Sequence, residues 1–249
     1  MTNRSSRLKH SCLAQIICLA PIVALAAPQR ANIESVESLV IESTNEFRAS
    51  HNLSRLTRNP QLDLAARNFA AHLATGAAFS HESGGTTPET RVFQAGYQAC
   101  VVAENLERQY SSAGFATHEL ARTLVQAWKD SPGHRKNMLE PDALETGIAV
   151  VHRSHDGVED FYAVQLLARK ESETVYFAIR NRSELAATYR VNGKQFTLNP
   201  NYGRKHGRCS TPDLLFEGRA RGRFEPKNDE CFIVEREGAV SRREPGGCG

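Results

Sequence analysis

The chain has 249 residues, of which 40% are hydrophobic and 24% are charged, and its formal net charge at pH 7 is +3. This length suits one large domain or two domains of modest size. The small net charge excludes the strongly basic surface that nucleic-acid-binding proteins need, so we expect no nucleic-acid partner.

Residues 1–26 have the pattern of a secretory signal peptide. Arg4, Arg7 and Lys9 precede an apolar run, and Ala24-Leu25-Ala26 fits a small-residue cleavage site. The run is shorter than the about 20 apolar residues of a membrane span, so we expect no stable span after cleavage. Cleavage would remove the three basic residues Arg4, Arg7 and Lys9, so the mature chain is predicted to be neutral. It is also predicted to be secreted, either extracellular or periplasmic.

Gly and Pro residues divide the first half of the chain into segments with helical spacing of apolar residues. Asn59-Pro60 and Thr87-Pro88 are typical helix starts, because each joins a capping side chain to a proline at the first helical position. Four helices are predicted, from Ile33 to Phe47, from Pro60 to Gly76, from Thr87 to Gly96 and from Leu120 to Trp128. The fourth breaks at Pro132 and Gly133, and a short helix and a strand are expected to follow.

The pattern then changes to that of strands. Gly147–Val151 and Phe161–Leu167 flank Asp156-Gly157, a hairpin signal. Helices over such an antiparallel sheet predict a layered first domain.

After a charged linker, only strands are predicted. A hairpin is expected around Asn192-Gly193 and another strand at Cys231–Val234. We therefore expect a small β-sandwich-like second domain over 174–249.

Four cysteines follow the predicted signal, at positions 100, 209, 231 and 248. An even number in an exported chain is typical of disulfide bonds, and four cysteines allow three pairings. We expect Cys209 to bond to Cys231, because both lie in one short strand-rich segment. A loop of that size would stabilise the fold by about 3 kcal/mol. The pairing of Cys100 and Cys248 stays open.

Three short motifs of the first domain carry polar side chains that could bind a ligand or take part in catalysis: Ser80-His81, Glu104-Asn105 and the stretch around His134. Two imidazoles and a carboxylate can bind a divalent metal such as zinc, or form a general acid/base pair. Their spacings match no local metal motif, and buried histidines commonly have only structural roles. The residues alone leave these alternatives open.

Several motifs occur in a fixed order over residues 36–168. They are Asn45-x-x-Arg48, Ser80-His81, Arg91, Gly96-Tyr97, Glu104-Asn105, W-x-x-S-P-G-H-R-x-N from Trp128 to Asn137, Glu145-x-Gly147 and Gln165. Together they resemble the bacterial SCP domain of the CAP superfamily, which comprises cysteine-rich secretory proteins, antigen 5 and pathogenesis-related 1. The β-rich second domain lies outside the resemblance.

The resemblance implies an α+β fold, with an α-β-α sandwich over 33–168. It also implies a cleft that holds His81, His134 and, as the first of two acids, Glu104. At the position of the second acid this chain has Ser131, so Asp130 or Glu145 is the candidate fourth polar residue, or the site has only three. The same three residues are the candidate ligands of a divalent ion such as zinc, which the sequence does not require.

Other matched residues are interpreted as structural. Trp128 is expected in the core, and Asn105 is expected to support the cleft. A guanidinium can hold loop carbonyls where a helix is interrupted, which suits Arg135. Asn137 suits the cap of the helix that follows the interruption. Arg48 is also interpreted as structural.

Two main functional hypotheses follow, and the resemblance favours a binding protein over an enzyme. The first is a cleft that binds a small lipid-like or metal-bridged ligand at the cell envelope, with the second domain as an adaptor. The alternative is a metal-assisted hydrolase acting on peptide or cell-wall substrates. A pure scaffold is a third possibility, and the oligomeric state is left open. Arg219–Phe224 could contact a polyanionic polymer or a lipid headgroup, or could simply be a solvated strand pair.

Overall fold

The structure is a computed structural model that describes Met1, residues 30–244 and residues 247–248. Apart from Met1, the predicted signal peptide lies outside these residues. No helix in the described ranges is long and apolar enough to cross a membrane.

Helices and strands alternate through the first part of the chain. Its elements are α1 (Ile33–Ala49), β1 (Thr57–Arg58), α2 (Pro60–Ala74), α3 (Pro88–Gln94), β2 (Ala99–Ser111), α4 (Thr117–Asp130), α5 (Pro132–Met138), β3 (Glu145–His155) and β4 (Val158–Lys170). The predicted caps form: the Asn59 side chain accepts from the amides of Gln61 and Leu62, and Thr87 accepts from the amide of Thr90.

The four strands of this part form one sheet in the order β1-β3-β4-β2, in which only β1 and β3 are parallel. Alternate residues of β4 enter different cores. Phe161 and Ala163 pack with α1 and α4 on one face, and Val164 and Leu166 pack with α2 on the other. Both faces of the sheet are covered, which explains why β4 reads as a continuous apolar run.

One close approach fixes α2 against this sheet. Gly147 on β3 lies directly under the start of α2, and a Cβ at this position would overlap the backbone of Leu62 and Asp63. The Asp63 carboxylate also accepts from the amide of Ile148 at 2.9 Å. The glycine of the Glu145-x-Gly147 motif is therefore required by packing.

The second part contains strands joined by turns. They are β5 (Val175–Asn181), β6 (Ala187–Val191), β7 (Lys194–Leu198), β8 (Gly203–Arg208), β9 (Leu214–Glu217), β10 (Gly222–Phe224), β11 (Glu230–Val234) and β12 (Val240–Arg243). Two four-stranded sheets, β10-β9-β6-β7 and β12-β11-β5-β8, enclose a core of aromatic and aliphatic side chains.

One polar pair lies inside that core. The Tyr189 hydroxyl and Nε2 of the buried His206 are 2.9 Å apart. Burial, together with Arg208 and Arg204, lowers the pKa of His206 to about 4. The imidazole is therefore neutral at pH 7, and it shares a hydrogen bond with the Tyr189 hydroxyl.

The predicted disulfide between Cys209 and Cys231 is wrong. Cys209 bonds to Cys100, and Cys231 bonds to Cys248. Cys231 lies inside β11, next to the C-terminal segment, whereas Cys209 follows β8 and faces β2 of the first part. Closeness in sequence was a poor guide, because a bond requires Cα atoms about 4.4–6.8 Å apart in the fold.

The α+β class and the two-part architecture are confirmed. The domain limits, 33–168 and 174–249, stay a prediction, and the second range includes positions that the structure does not describe. The predicted charged linker is the end of β4 followed by a 3-10 turn, Glu171–Glu173.

Candidate functional site

Glu104 lies on β2, opposite Leu166 of β4, and its side chain is only 2% exposed. Its two carboxylate oxygens have different partners. One is 2.8 Å from Nδ1 of His81, and the other accepts from Nη2 of Arg91 at 2.6 Å. A buried carboxylate needs such compensation, because an unpaired charge away from water is costly.

Arg91 fixes this carboxylate and the loop beside it. It lies on α3, is 8% exposed, and its guanidinium stacks over the Phe69 ring at 3.5 Å from the ring centroid. Its Nη1 donates to the carbonyls of His81 and Thr86, at 3.0 and 2.8 Å. One buried cation therefore holds both the acid and the backbone of the histidine that the acid contacts.

His81 is the exposed end of this group. Its side chain is 50% exposed, while that of its partner Glu104 is nearly inaccessible. A carboxylate accepts hydrogen bonds, so the Nδ1–H of His81 is the donor. In its neutral form the ring presents an Nε2 lone pair on the opposite side.

His134 lies at the start of α5, which the Ser131-Pro132 break sets apart from α4. Burial lowers its pKa, and the neighbouring His81 lowers it further. Its Nδ1 is buried and makes no hydrogen bond within the described part of the chain. The cleft therefore combines an oriented, exposed imidazole with a half-buried one that favours the neutral form.

Asn137, one turn further along α5, ties the helix to the sheet. Its side-chain amide donates to the Glu104 carbonyl at 2.8 Å and to the Asn105 side chain at 3.1 Å. Asn105 donates to Gln165, which donates to the Thr44 hydroxyl of α1. This chain of hydrogen bonds connects α5 to α1 through β2 and β4, behind the cleft.

The two candidates for a fourth polar residue have other partners. Asp130 is exposed and accepts from the Gln126 amide at 2.8 Å. Glu145 accepts from Tyr97, Asn59 and Lys170, and these contacts lower its pKa despite the opposing effect of burial. Neither carboxylate contacts His81 or His134 in the described ranges. Among the described residues, Arg91 joins this group through its contact with Glu104.

The remaining matched residues lie around the cleft. Arg48 is fully buried and donates to the carbonyls of Ser54, Met138, Glu140 and Ala143. Trp128 is also fully buried, and its Nε1 donates to the Leu106 carbonyl. Arg135 is exposed and lies over the Phe47 ring.

The geometry bears on the metal hypothesis. No group of three or more His, Cys, Asp or Glu side chains with the arrangement of a metal site occurs among the described residues. Glu104 does not fit as a direct ligand, because Arg91 and His81 occupy its two oxygens. It does fit as the acid that orients a histidine ligand through the other ring nitrogen. His81 and His134 are therefore the two side chains that could hold an ion.

Arg91 was matched in the sequence but was not assigned to the site. The sequence feature that could have pointed to it is its place, one turn into a helix that begins at Thr87-Pro88. This placement did not reveal its contact with Glu104, because that contact depends on how α3 lies against β2.

Comparison with known proteins agrees with the motif order. Among curated relatives, YkwD, an uncharacterized protein of Bacillus subtilis, is 27% identical over 133 residues, or 52% of this chain and 48% of the relative. An uncharacterized protein of Borreliella burgdorferi is 30% identical over 102 residues, or 41% of this chain and 60% of the relative. The matched region thus spans about half to three-fifths of these relatives.

Similar solved structures include an outer surface protein from Borrelia burgdorferi, 24% identical with a TM-score of 0.47. The alignment covers 55% of this chain and 95% of that one. An extracellular protein containing a SCP domain from Bacillus anthracis is 25% identical with a TM-score of 0.46, over 55% of this chain and 41% of that one. Residues 41–167 match the family model described as CAP, the cysteine-rich secretory protein family. The chain belongs to this family.

Proposed function

We propose that this chain is an exported binding protein whose cleft, at His81 and His134, takes up a small ligand without catalysing a reaction. The observation that carries the proposal is the Glu104 carboxylate held between Arg91 and His81. It leaves one imidazole oriented and exposed beside a second imidazole with a lowered pKa.

In their neutral forms, the two imidazoles favour a particular ligand chemistry. Each offers a nitrogen lone pair, so together they can coordinate a divalent cation or accept hydrogen bonds from a hydroxyl-bearing, lipid-like molecule. A ligand bridged to the protein through a bound ion would use the lone pairs of both imidazoles. A metal held there would supply Lewis acidity to a bound ligand, whereas the protein groups would orient and hold it.

The same contacts argue against the hydrolase alternative. Metal-assisted hydrolysis needs a group that activates water beside the ion. Glu104 is the carboxylate of the cleft, and its two oxygens are engaged by Arg91 and by His81. Binding therefore fits these contacts better than turnover does.

Two disulfides support a location outside the reducing cytoplasm. The signal-peptide pattern at residues 1–26 points the same way. We infer that the protein acts in an extracellular or periplasmic compartment, at the cell envelope.

Zinc titration of the purified chain at pH 7.5 tests the metal-bridged form of the proposal. We expect one saturable site that is lost in His81→Ala and in His134→Ala. It should weaken at pH 5, because protonated imidazoles cannot bind the ion. The control is His118→Ala, which removes an exposed histidine of α4 and should leave the affinity unchanged.

A second measurement separates binding from catalysis. Zinc should raise the thermal unfolding temperature of the wild-type chain but not of His81→Ala, as expected for a ligand that binds the native state. Zinc-loaded protein should not turn over peptide or peptidoglycan substrates. Zinc-dependent turnover that His81→Ala abolishes would favour the hydrolase over the binding protein. Equal zinc affinity in all variants would contradict the metal-bridged site.

A further inference from the structure

The arginines of the Arg219–Phe224 segment have different surroundings in the second domain. Arg223 forms a two-bond ion pair with Asp213, at 2.7 and 3.0 Å. Arg221 donates from Nε to the Gly218 carbonyl at 3.1 Å, within its own turn. Arg219 makes no hydrogen bond or ion pair with any residue that the structure describes. Of these three arginines, Arg219 alone keeps a guanidinium without a partner in the described part of the chain.

Arg219 lines a cavity of about 660 Å³ at one end of the β-sandwich. Three connections surround this sandwich-end cavity, namely those between β5 and β6, between β9 and β10, and between β11 and β12. Its apolar lining consists of Leu185, Ala186, Ala187, Ala220 and Val234. Leu185 is 59% exposed, so apolar surface faces water at the rim. The volume lies in the range of small-molecule sites, about 300–1,000 Å³.

A second guanidinium lines the same cavity. Arg236, in the turn between β11 and β12, is also without a hydrogen bond or ion pair among the described residues. The stem of Arg219 crosses this turn at Gly238, where an added Cβ would lie 3.0 Å from the Arg219 Cγ. Gly238 has a φ of +91°, so glycine suits both the turn and the passage of the arginine.

The acids of the cavity do not neutralise this pair. Glu217 is held by Nε of Arg190 at 2.8 Å, on the neighbouring strand. Glu184 lines the rim and makes no contact with either arginine in the described structure. Two like charges without partners among the described residues, beside an apolar lining, favour a ligand that brings negative charge and apolar surface together.

We propose that the sandwich-end cavity binds a small ligand in which an oxyanion group, carboxylate or phosphate, is attached to a short apolar segment. Arg219 and Arg236 hold the oxyanion, because guanidinium forks match the geometry of both anions. The apolar segment packs on Leu185 and Val234. This site belongs to the second domain and does not depend on the histidine cleft.

Calorimetric titration of the purified chain with hexyl phosphate at low ionic strength tests the proposal. We expect one saturable site, with affinity at least about tenfold lower in the Arg219→Gln/Arg236→Gln double variant, since charge-assisted hydrogen bonds are lost. Glu184→Gln should tighten binding, because it removes a like charge from the rim. Both arginines are exposed, so the fold should be retained, which thermal unfolding verifies.

Arg221→Gln is the matched control, since it removes the same charge from the same turn but not from the cavity. Hexylammonium and inorganic phosphate are the control probes. The former should not bind, and the latter should bind more weakly because it buries no apolar surface. Equal hexyl phosphate affinity in the double variant and in Arg221→Gln would overturn the proposal, as would equal binding of hexylammonium.

Discussion

At the scale of single residues, Glu104 joins the protein core to the exposed cleft. Its side chain is buried, one partner, Arg91, is buried with it, and the other partner, His81, is half exposed. Removing one member of a buried ion pair leaves an uncompensated charge, which typically destabilises a fold by about 3–5 kcal/mol. The orientation of His81 therefore depends on a carboxylate that is itself buried and paired with Arg91.

Arg91→Met tests this dependence. The substitution keeps an apolar stem but removes both the cation beside Glu104 and the donor to the loop carbonyls of His81 and Thr86. We expect the free energy of unfolding, measured by urea denaturation, to fall by about 3–5 kcal/mol. The double variant with Glu104→Gln should lose less than the sum of the single changes, because an amide carries no charge to leave unpaired.

Arg122→Met is the matched control for this experiment, because Arg122 is exposed on α4. Its effect should stay within about 0.5 kcal/mol, as for most surface substitutions. Similar losses at positions 91 and 122 would show that the Arg91–Glu104 pair adds no net stability.

Residue roles were only partly accessible from the sequence. The motif order associates His81, Glu104 and His134, and the structure places the first two in contact. The sequence does not indicate the partners of Glu145, which are Tyr97, Asn59 and Lys170. Those contacts join residues that are 25 to 86 positions apart in the chain.

At the scale of elements, the local signals were strong. Both hairpin turns form where they were predicted, with positive φ at Asp156 (50°) and Gly157 (75°), and at Asn192 (48°) and Gly193 (78°). This is the backbone of a type I′ turn, which matches the twist of paired strands. These turns depend on adjacent residues, so their sequence is sufficient to indicate them.

The packing of α2 on β3 gives a prediction at this scale. Gly147→Ala should lower the free energy of unfolding by about 3 kcal/mol, because the new methyl group overlaps the backbone of Leu62 and Asp63, which cannot move as a side chain would. Urea denaturation and the thermal unfolding temperature both measure this change.

Gly133→Ala supplies the matched comparison. Gly133 lies in the first turn of α5, and an added Cβ would have nothing within 4 Å. Alanine favours helix over glycine by up to about 1 kcal/mol, so this variant should be neutral or slightly stabilised. A Gly147→Ala chain as stable as Gly133→Ala would mean that α2 is free to shift away from the sheet.

At the scale of the whole molecule, one disulfide joins the two parts of the chain. Cys100 belongs to β2 of the first sheet, and Cys209 follows β8 of the sandwich. The Thr211 amide donates to the Asp142 carboxylate nearby, at 3.3 Å. The second part is therefore tied to the first by a covalent bond as well as by the chain.

Removing each disulfide in turn should have unequal effects. The Cys100–Cys209 bond spans 109 residues, and the Cys231–Cys248 bond spans 17. In the chain-entropy model these loops correspond to about 5 and about 3 kcal/mol of stabilisation. Cys100→Ser/Cys209→Ser should thus unfold at lower urea concentration than Cys231→Ser/Cys248→Ser.

Peptide mapping without reduction checks the pairing behind this prediction. It should recover one peptide that links positions 100 and 209 and another that links 231 and 248. Recovery of a peptide that joins Cys209 to Cys231 would contradict the pairing, and an equal loss of stability in the two double variants would contradict the loop argument.

The sequence by itself determined the local elements and the family. Helix starts at Asn59-Pro60 and Thr87-Pro88 and turns at Asp156-Gly157 and Asn192-Gly193 follow from backbone preferences of neighbouring residues. Only the tertiary structure decided the disulfide pairing, the contact of Arg91 with Glu104 and the position of Arg219 and Arg236 at the sandwich-end cavity. These features depend on distances between residues far apart in the chain, which are set by how whole helices and sheets pack.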